Sequence, residues 1–225
     1  MLDLSGPILF SGENGAGIDV DAVIAGLNAN RSAAYVDVQI DSEGGALIEG
    51  KKLYAALRAH PGYKITHAGR LCASSATLIL MAGDFRTCDA NTQFMIHEPE
   101  VRAEQTERWT ASRHSRIAAD LRRISAELVK IYSERTGRNA KLFECEIQHE
   151  KLMAFRRAQR LGLVHCLAGE QRWINGRPYS FPDWPSSITE NVIASFSPAE
   201  LQAIARKDPP RWRNSPIGHL AFTGR

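Results

Sequence analysis

The sequence predicts an α/β fold, and three observations carry that expectation. Short apolar segments, turns and helical patterns repeat in strand, turn, helix order across the first hundred residues, as crossover-connected units do. Val36, Val38 and Ile40 alternate with polar neighbours at the two-residue period of a strand. Ile117, Leu121, Ile124, Leu128 and Ile131 step by four, three, four and three residues, which draws one apolar stripe along a long helix.

In chain order, the apolar run Pro7 to Ser11 reads as a strand followed by a glycine-rich turn. Asp19 or Asp21 is placed to cap a helix through Val23, Ile24 and Leu27. The strand Tyr35 to Ile40 breaks at Ser42-Glu43-Gly44-Gly45, and a helix with Leu53, Ala56 and Leu57 on one side leads to His60-Pro61. A third strand spans Lys64 to Ala68. After Gly69, the small residues Ala73-Ser74-Ser75-Ala76 open an apolar helix through Leu80 and Met81 that Gly83 can end. A strand from Thr92 to Ile96 delivers His97, and Pro99 stops it. The long helix closes near Gly137, a natural C-cap. A basic helix from Lys151 to Leu161 is capped by Gly162, and Leu163-Val164 begins a last strand. Beyond residue 168 the composition shifts to Trp and Pro (Trp173, Pro178, Pro182, Trp184, Pro185, Pro209, Pro210, Trp212), with a short helical pattern from Pro198 to Arg206. Residues 169–225 read as an appendage docked by its aromatic residues.

Composition excludes more than it names. The 225 residues carry a net charge of +3, with 44% hydrophobic and 24% charged residues, values ordinary for a globular chain. The charges are interspersed, so no basic stripe marks a nucleic-acid surface. No secretory signal opens the chain, and no apolar run reaches the length of a membrane span. Cys72, Cys88, Cys145 and Cys166 form no Cys-x-x-Cys pair and have no histidine cluster at zinc spacing. They read as four reduced thiols in a cytoplasmic protein, with no metal and no cofactor.

Four places could carry chemistry. Ser74 sits among small residues that leave room for a substrate carbonyl, at a helix start whose free N–H groups favour a developing oxyanion. Taken alone, such a serine is more often an N-cap. Gly44-Gly45 after a strand lets a backbone N–H approach a ligand, although an ordinary turn explains the pair equally well. His97 at a strand end can accept a proton at neutral pH, where a lone histidine is more often structural. Glu150 could orient that imidazole as a third member, or simply cap the helix expected from Lys151; Glu146, one turn away, is its alternative.

Together these residues resemble a known family. Ile40 to Gly45, Gly69 to Ala76, Met81 to Asp84, and Asn91 to Pro99 with Phe94-Met95-Ile96-His97-Glu98-Pro99, then Ile131 to Gly137 and Ala158 to Val164, resemble the Clp protease proteolytic subunit. The likeness runs over about residues 5 to 168 and looks closest to phage- and plasmid-associated members. It implies a Clp protease/crotonase-type spiral of β-β-α units in residues 1–168, with a protruding handle helix at about 105–136. It implies a serine endopeptidase acting on polypeptides inside a homo-oligomer of stacked rings. On that resemblance Ser74 is the nucleophile, His97 the base and Glu150 the acid, with the backbone N–H groups of Gly45 and Ser75 as the oxyanion hole. An ATP-dependent unfoldase is the implied partner. The chain starts almost at the first strand, without the family's N-terminal axial loops, and that counts against such docking. Glu43, Arg70, Cys72 and His165 depart from the family pattern, and the segment beyond residue 168 matches nothing in it.

Three rivals share parts of this pattern. Crotonase-type acyl-CoA enzymes have no need of the Ser74 and His97 pair. A Ser-Lys peptidase lacks a suitable lysine, because Lys64 is alone between positions 53 and 129 and precedes the nucleophile. An inactive ring-forming paralogue is opposed by the intact Ser, His and acid set.

Overall fold

The first paired strand is β1 (Leu2–Ser5), which lies before the segment expected from the sequence. Gly6, at φ +89°, turns the chain out of β1, and Ile8 then makes only isolated bridges to Ile18 and Gly45. The run Pro7 to Ser11 is therefore not a strand, in keeping with a proline that has no N–H to give a ladder. The computed structural model describes residues 1–13, 15–101, 109–169, 172–174 and 177–179. The chain divides into two compact units, Met1–Val164 and His165–Arg225.

In the first unit, α1 (Val20–Ala29) is capped by Asp19, whose carboxylate accepts from Ala22 N at 3.1 Å. Next come β2 (Tyr35–Ser42), α2 (Leu47–Ala59), β3 (Tyr63–Ala73) and α3 (Ala76–Ala82). β4 (Phe85–Cys88) and β5 (Gln93–Met95) follow, then α4 (Ala111–Thr136) and α5 (Ala140–His149). β6 (Met153–Ala154) and α6 (Phe155–Leu161) complete the unit. β1, β2, β3 and β4 pair in that order, all parallel, with helices as the crossovers. The fold is α/β with a parallel sheet, as the repeated strand, turn, helix order predicts.

Gly69 was expected to end the third strand, yet β3 runs eleven residues through it. The strand changes partners there. Ile65–Ala68 pairs with Phe85–Cys88, and Leu71–Ala73 pairs with Gln93–Met95 of β5, also parallel. The register to β2 shifts at the same place, between Ile40 and Ser42. A short strand beyond a buried helix, β4, has no alternation to betray it, since all four of its residues are buried.

α3 is apolar and buried on every side, with Leu78, Ile79, Leu80 and Met81 at 0–1% exposure. Each such side chain contributes about 1.5–3 kcal/mol by leaving water, so the turn before α3 is seated on rigid core. The fully buried Arg86 fastens the far end. Its guanidinium donates to the carbonyls of Gly83, Arg135 and Gly162 at 3.0, 3.3 and 3.0 Å, and its Nε to Leu163 at 2.9 Å. Three of these carbonyls belong to the C-terminal ends of α3, α4 and α6, where helix dipoles favour a cation.

α4 begins at Ala111 with Thr110 as N-cap, and ends at Gly137 in the left-handed conformation (φ 67°). The start expected near residue 105 falls among residues that are not described. Leu128, Val129 and Tyr132 are buried, whereas Ile117, Leu121 and Ile124 of the same stripe are partly exposed. α5 was not foreseen: Asn139 caps it and Phe143 and Ile147 bury one face against the core. The basic helix starts at Phe155, not Lys151, because Met153 and Ala154 pair antiparallel with Phe94 and Gln93. Leu163 and Val164 are buried but not a strand.

In the second unit, β7 (Cys166–Leu167) is followed by β8 (Arg172–Ile174) and β9 (Arg177–Tyr179), and the last two form an antiparallel pair. The helical pattern at 198–206 and the docking of the tail's aromatic residues lie outside the described residues. Among the described residues no helix is long and apolar enough to cross a membrane.

Candidate active site

Two parallel strands deliver the central pair. β3 and β5 run side by side to Ala73 and Met95, and the pairing continues one step as Ser74 N donates to Met95 O at 2.8 Å. Ser74 follows directly on β3 and His97 lies two residues past β5. Their side chains meet: His97 Nε2 lies 2.7 Å from Ser74 Oγ. Both residues are half-buried. When the hydroxyl donates, Nε2 is the unprotonated ring nitrogen and Nδ1 carries the proton.

Ser74 does not cap α3. It sits at φ +53°, one of two non-glycine residues with positive φ among the described residues, while Ser75 occupies the N-cap position without a side-chain cap bond. A left-handed serine between a strand and a helix is strained and turns its side chain outward. Its hydroxyl reaches the imidazole, and its carbonyl accepts from Thr77 N at 3.0 Å and Thr77 Oγ1 at 2.6 Å. Thr77 Oγ1 is itself 2.6 Å from Tyr132 Oη. Sequence reasoning missed Thr77 and Tyr132, since nothing in a linear pattern pairs positions 77 and 132.

The Gly44-Gly45 turn abuts the serine. Gly44 has φ +95° and Gly45 φ +142°. A β-carbon on Gly44 would lie 2.7 Å from both Ala73 O and Ser74 Cβ, and 3.0 Å from Ser75 N. On Gly45 it would collide with the Ile8 carbonyl. The Ser75 hydroxyl bonds Gly45 O at 3.2 Å and the Ser42 hydroxyl accepts from Gly44 N at 3.0 Å, which fixes the turn. Among the described residues, neither Gly45 N nor Ser75 N donates to another backbone group.

Glu150 is not brought to His97 by any hydrogen bond. It is the exposed C-cap of α5, left-handed at φ 46°, and thus ends one helix rather than starting the next. Ile147 O accepts from Glu98 N at 3.1 Å, so the end of α5 lies beside the residue that follows His97. Glu146 pairs with Arg157 instead. Among the described residues no carboxylate bonds His97. His67 is held by Thr87 Oγ1 and Asp89, and His149 by the Cys145 carbonyl. Cys72 is wholly buried beneath the site, and burial pushes its thiol far above the usual range, so it is inert as a nucleophile. Among the described residues no cluster of three His, Cys, Asp or Glu is placed to hold a metal.

A half-buried serine on a strained strand-to-helix turn, hydrogen-bonded to an imidazole and flanked by two uncommitted amides, is suited to acyl transfer. Comparison with known proteins agrees with that chemistry. The family model described as Clp protease matches residues 11–171. An ATP-dependent Clp protease proteolytic subunit of Pleurastrum terricola is 29% identical over 136 residues, covering 60% of this chain and 67% of the relative. The same-named protein of Chlorella vulgaris is 28% identical over 149 residues, 65% and 72% of the two chains. That of Staurastrum punctulatum is 27% identical over 173 residues, 72% and 82%. The matched span takes in α1 to β7 with the Ser74 and His97 pair inside it, and the chain belongs to the Clp protease family.

Proposed function

We propose that this chain is a serine endopeptidase in which Ser74 Oγ attacks the scissile carbonyl while His97 Nε2 takes its proton. The observation that carries the reading is the 2.7 Å contact between those atoms at a left-handed serine. The amides of Gly45 and Ser75 receive the oxyanion. The imidazolium then protonates the leaving amine, and water, activated by the same imidazole, hydrolyses the acyl-enzyme. Glu150 is the proposed third member: its exposed carboxylate lies three residues past Ile147, which is bonded to the residue next to His97. Rotation of its side chain onto Nδ1 would hold the required tautomer.

The working form is an oligomer that encloses the sites. The α4 stripe continues past the core, with Ile117, Leu121 and Ile124 partly exposed, and stacking of copies through α4 covers it. An enclosed site admits short peptides and unfolded chains. Degradation of a folded substrate then requires an ATP-driven unfolding partner, in line with the name the relatives carry.

A fluorophosphonate probe with a fluorogenic peptide tests the chemistry. The wild-type protein labels and Ser74→Ala does not, with peptide hydrolysis falling by roughly 10⁴-fold or more. Ser75→Ala keeps its amide, so it labels and is only weakened. A dead Ser75 variant beside an active Ser74 variant places the nucleophile one residue on, and a wild-type protein that neither labels nor hydrolyses refutes the reading.

A further inference from the structure

The serine's own backbone is held from the long helix. Thr77 Oγ1 lies 2.6 Å from Ser74 O and 2.6 Å from Tyr132 Oη. A carbonyl only accepts and a threonine hydroxyl has one proton, so that proton points to Ser74 O and the tyrosine is the donor to Thr77. The chain of donors runs from Tyr132 in α4, through Thr77 in α3, to the carbonyl of the left-handed Ser74. Both relay side chains are nearly inaccessible, Thr77 at 0% and Tyr132 at 3% exposure, so no water competes for these bonds. The tyrosine ring is fixed in turn by Phe143 of α5, stacked at 5.4 Å between centroids and 25° between planes. Burial pushes the phenol well above its usual range, so it remains a neutral donor at any working pH.

Resting on the reading of Ser74 as the nucleophile, we infer that Tyr132 and Thr77 are positioning residues for the peptidase reaction, a two-hydroxyl relay that holds the Ser74 carbonyl and so keeps Ser74 Oγ in line with His97. Neither hydroxyl touches substrate. Their effect is on the orientation of the attacking oxygen, because a residue at φ +53° is freer to relax when its carbonyl keeps only the Thr77 amide as donor. Small losses of orientation at a nucleophile are costly in rate and leave substrate binding alone.

The test compares Tyr132→Phe, Thr77→Val and the double variant in the full-length chain. Tyr132→Phe keeps the ring and its stacking on Phe143. Each single variant is expected to lower kcat and the rate of fluorophosphonate labelling by about ten-fold with KM unchanged. The double variant is expected to be no slower than the slower single one, since both break the same chain. Thr77→Ser, which restores the hydroxyl, recovers most of the rate that Thr77→Val loses. Labelling within two-fold of wild type for Tyr132→Phe, losses that multiply in the double variant, or an effect confined to KM overturns the relay while wild-type labelling leaves the nucleophile standing. A wild-type protein that does not label overturns both.

Discussion

Gly44→Ala is the sharpest probe of how the site is built. The residue sits at φ +95°, where a side chain costs about 1–2 kcal/mol. Its new β-carbon would lie 2.7 Å from Ala73 O and from Ser74 Cβ, against the 3.4 Å at which ordinary contact begins. Neither neighbour is a flexible side-chain end, so the Ser74 turn must retreat by about 0.7 Å, a displacement that costs on the order of 10²-fold in rate. Forced overpacking adds about 1–3 kcal/mol. The sum of both costs, about 3 kcal/mol, corresponds to a fall in Tm of roughly 6–12 °C. Calorimetry and peptide hydrolysis, measured on the same preparation below the lowered Tm, separate the two effects. Gly26→Ala is the control: it lies in α1 with nothing within 4 Å of an added β-carbon, and it should raise stability slightly and leave the rate alone. A Gly44→Ala protein with wild-type rate and a lowered Tm would refute the reasoning, because strain would then be absorbed without moving Ser74.

Glu150→Gln is expected to lose most of the hydrolytic rate with little change in Tm, while Glu146→Gln, which loosens only the pair with Arg157, keeps the rate; unchanged rate for Glu150→Gln leaves a Ser-His dyad. Asp84 gives an acid-dependent stability. Burial raises its carboxyl pKa, but a hydrogen bond from Lys64 N and the charges of Lys64 and Arg58 outweigh that and hold it below the usual carboxylate value. A depressed pKa in the folded state contributes stability above the unfolded value, and it is lost as pH falls through the folded one. The Tm of the wild type should therefore drop as pH falls below about 4, and Asp84→Asn should start lower at neutral pH and change less over that range. Native mass spectrometry should give a particle of many subunits; a fully active monomer of 24.9 kDa removes the enclosed-chamber reading.

Local pattern was sufficient for a large part of this molecule. The alternation of Val36, Val38 and Ile40 places β2, the stripe from Ile117 to Ile131 places α4, and Gly137 and Gly162 close their helices in left-handed caps. Those features depend on neighbours within one or two turns of chain, so composition and spacing record them. Ser74 and His97 were legible for another reason: each lies just past a strand whose end is marked by small residues or proline. What the sequence could not settle depends on pairing between distant segments. β3 continues through Gly69 because β4 hands it to β5, a decision made by strands twenty residues away. β4 is buried on all sides and carries no period for a pattern to find, whereas α3, equally buried, was marked by the small residues at its start and by Gly83 at its end. Glu150 reads as a helix start from its neighbours, yet pairing of Met153 and Ala154 with β5 delays the next helix and leaves it as the cap of α5. The 2.7 Å contact of Ser74 with His97, the pressure of Gly44 on the serine and the reach of Tyr132 to Thr77 all arise only when the sheet and the helices above it are assembled. Sequence thus determined which residues could react, and tertiary packing decided which of them meet, because hydrogen bonds and close contacts are made across space between elements whose order along the chain does not encode their separation.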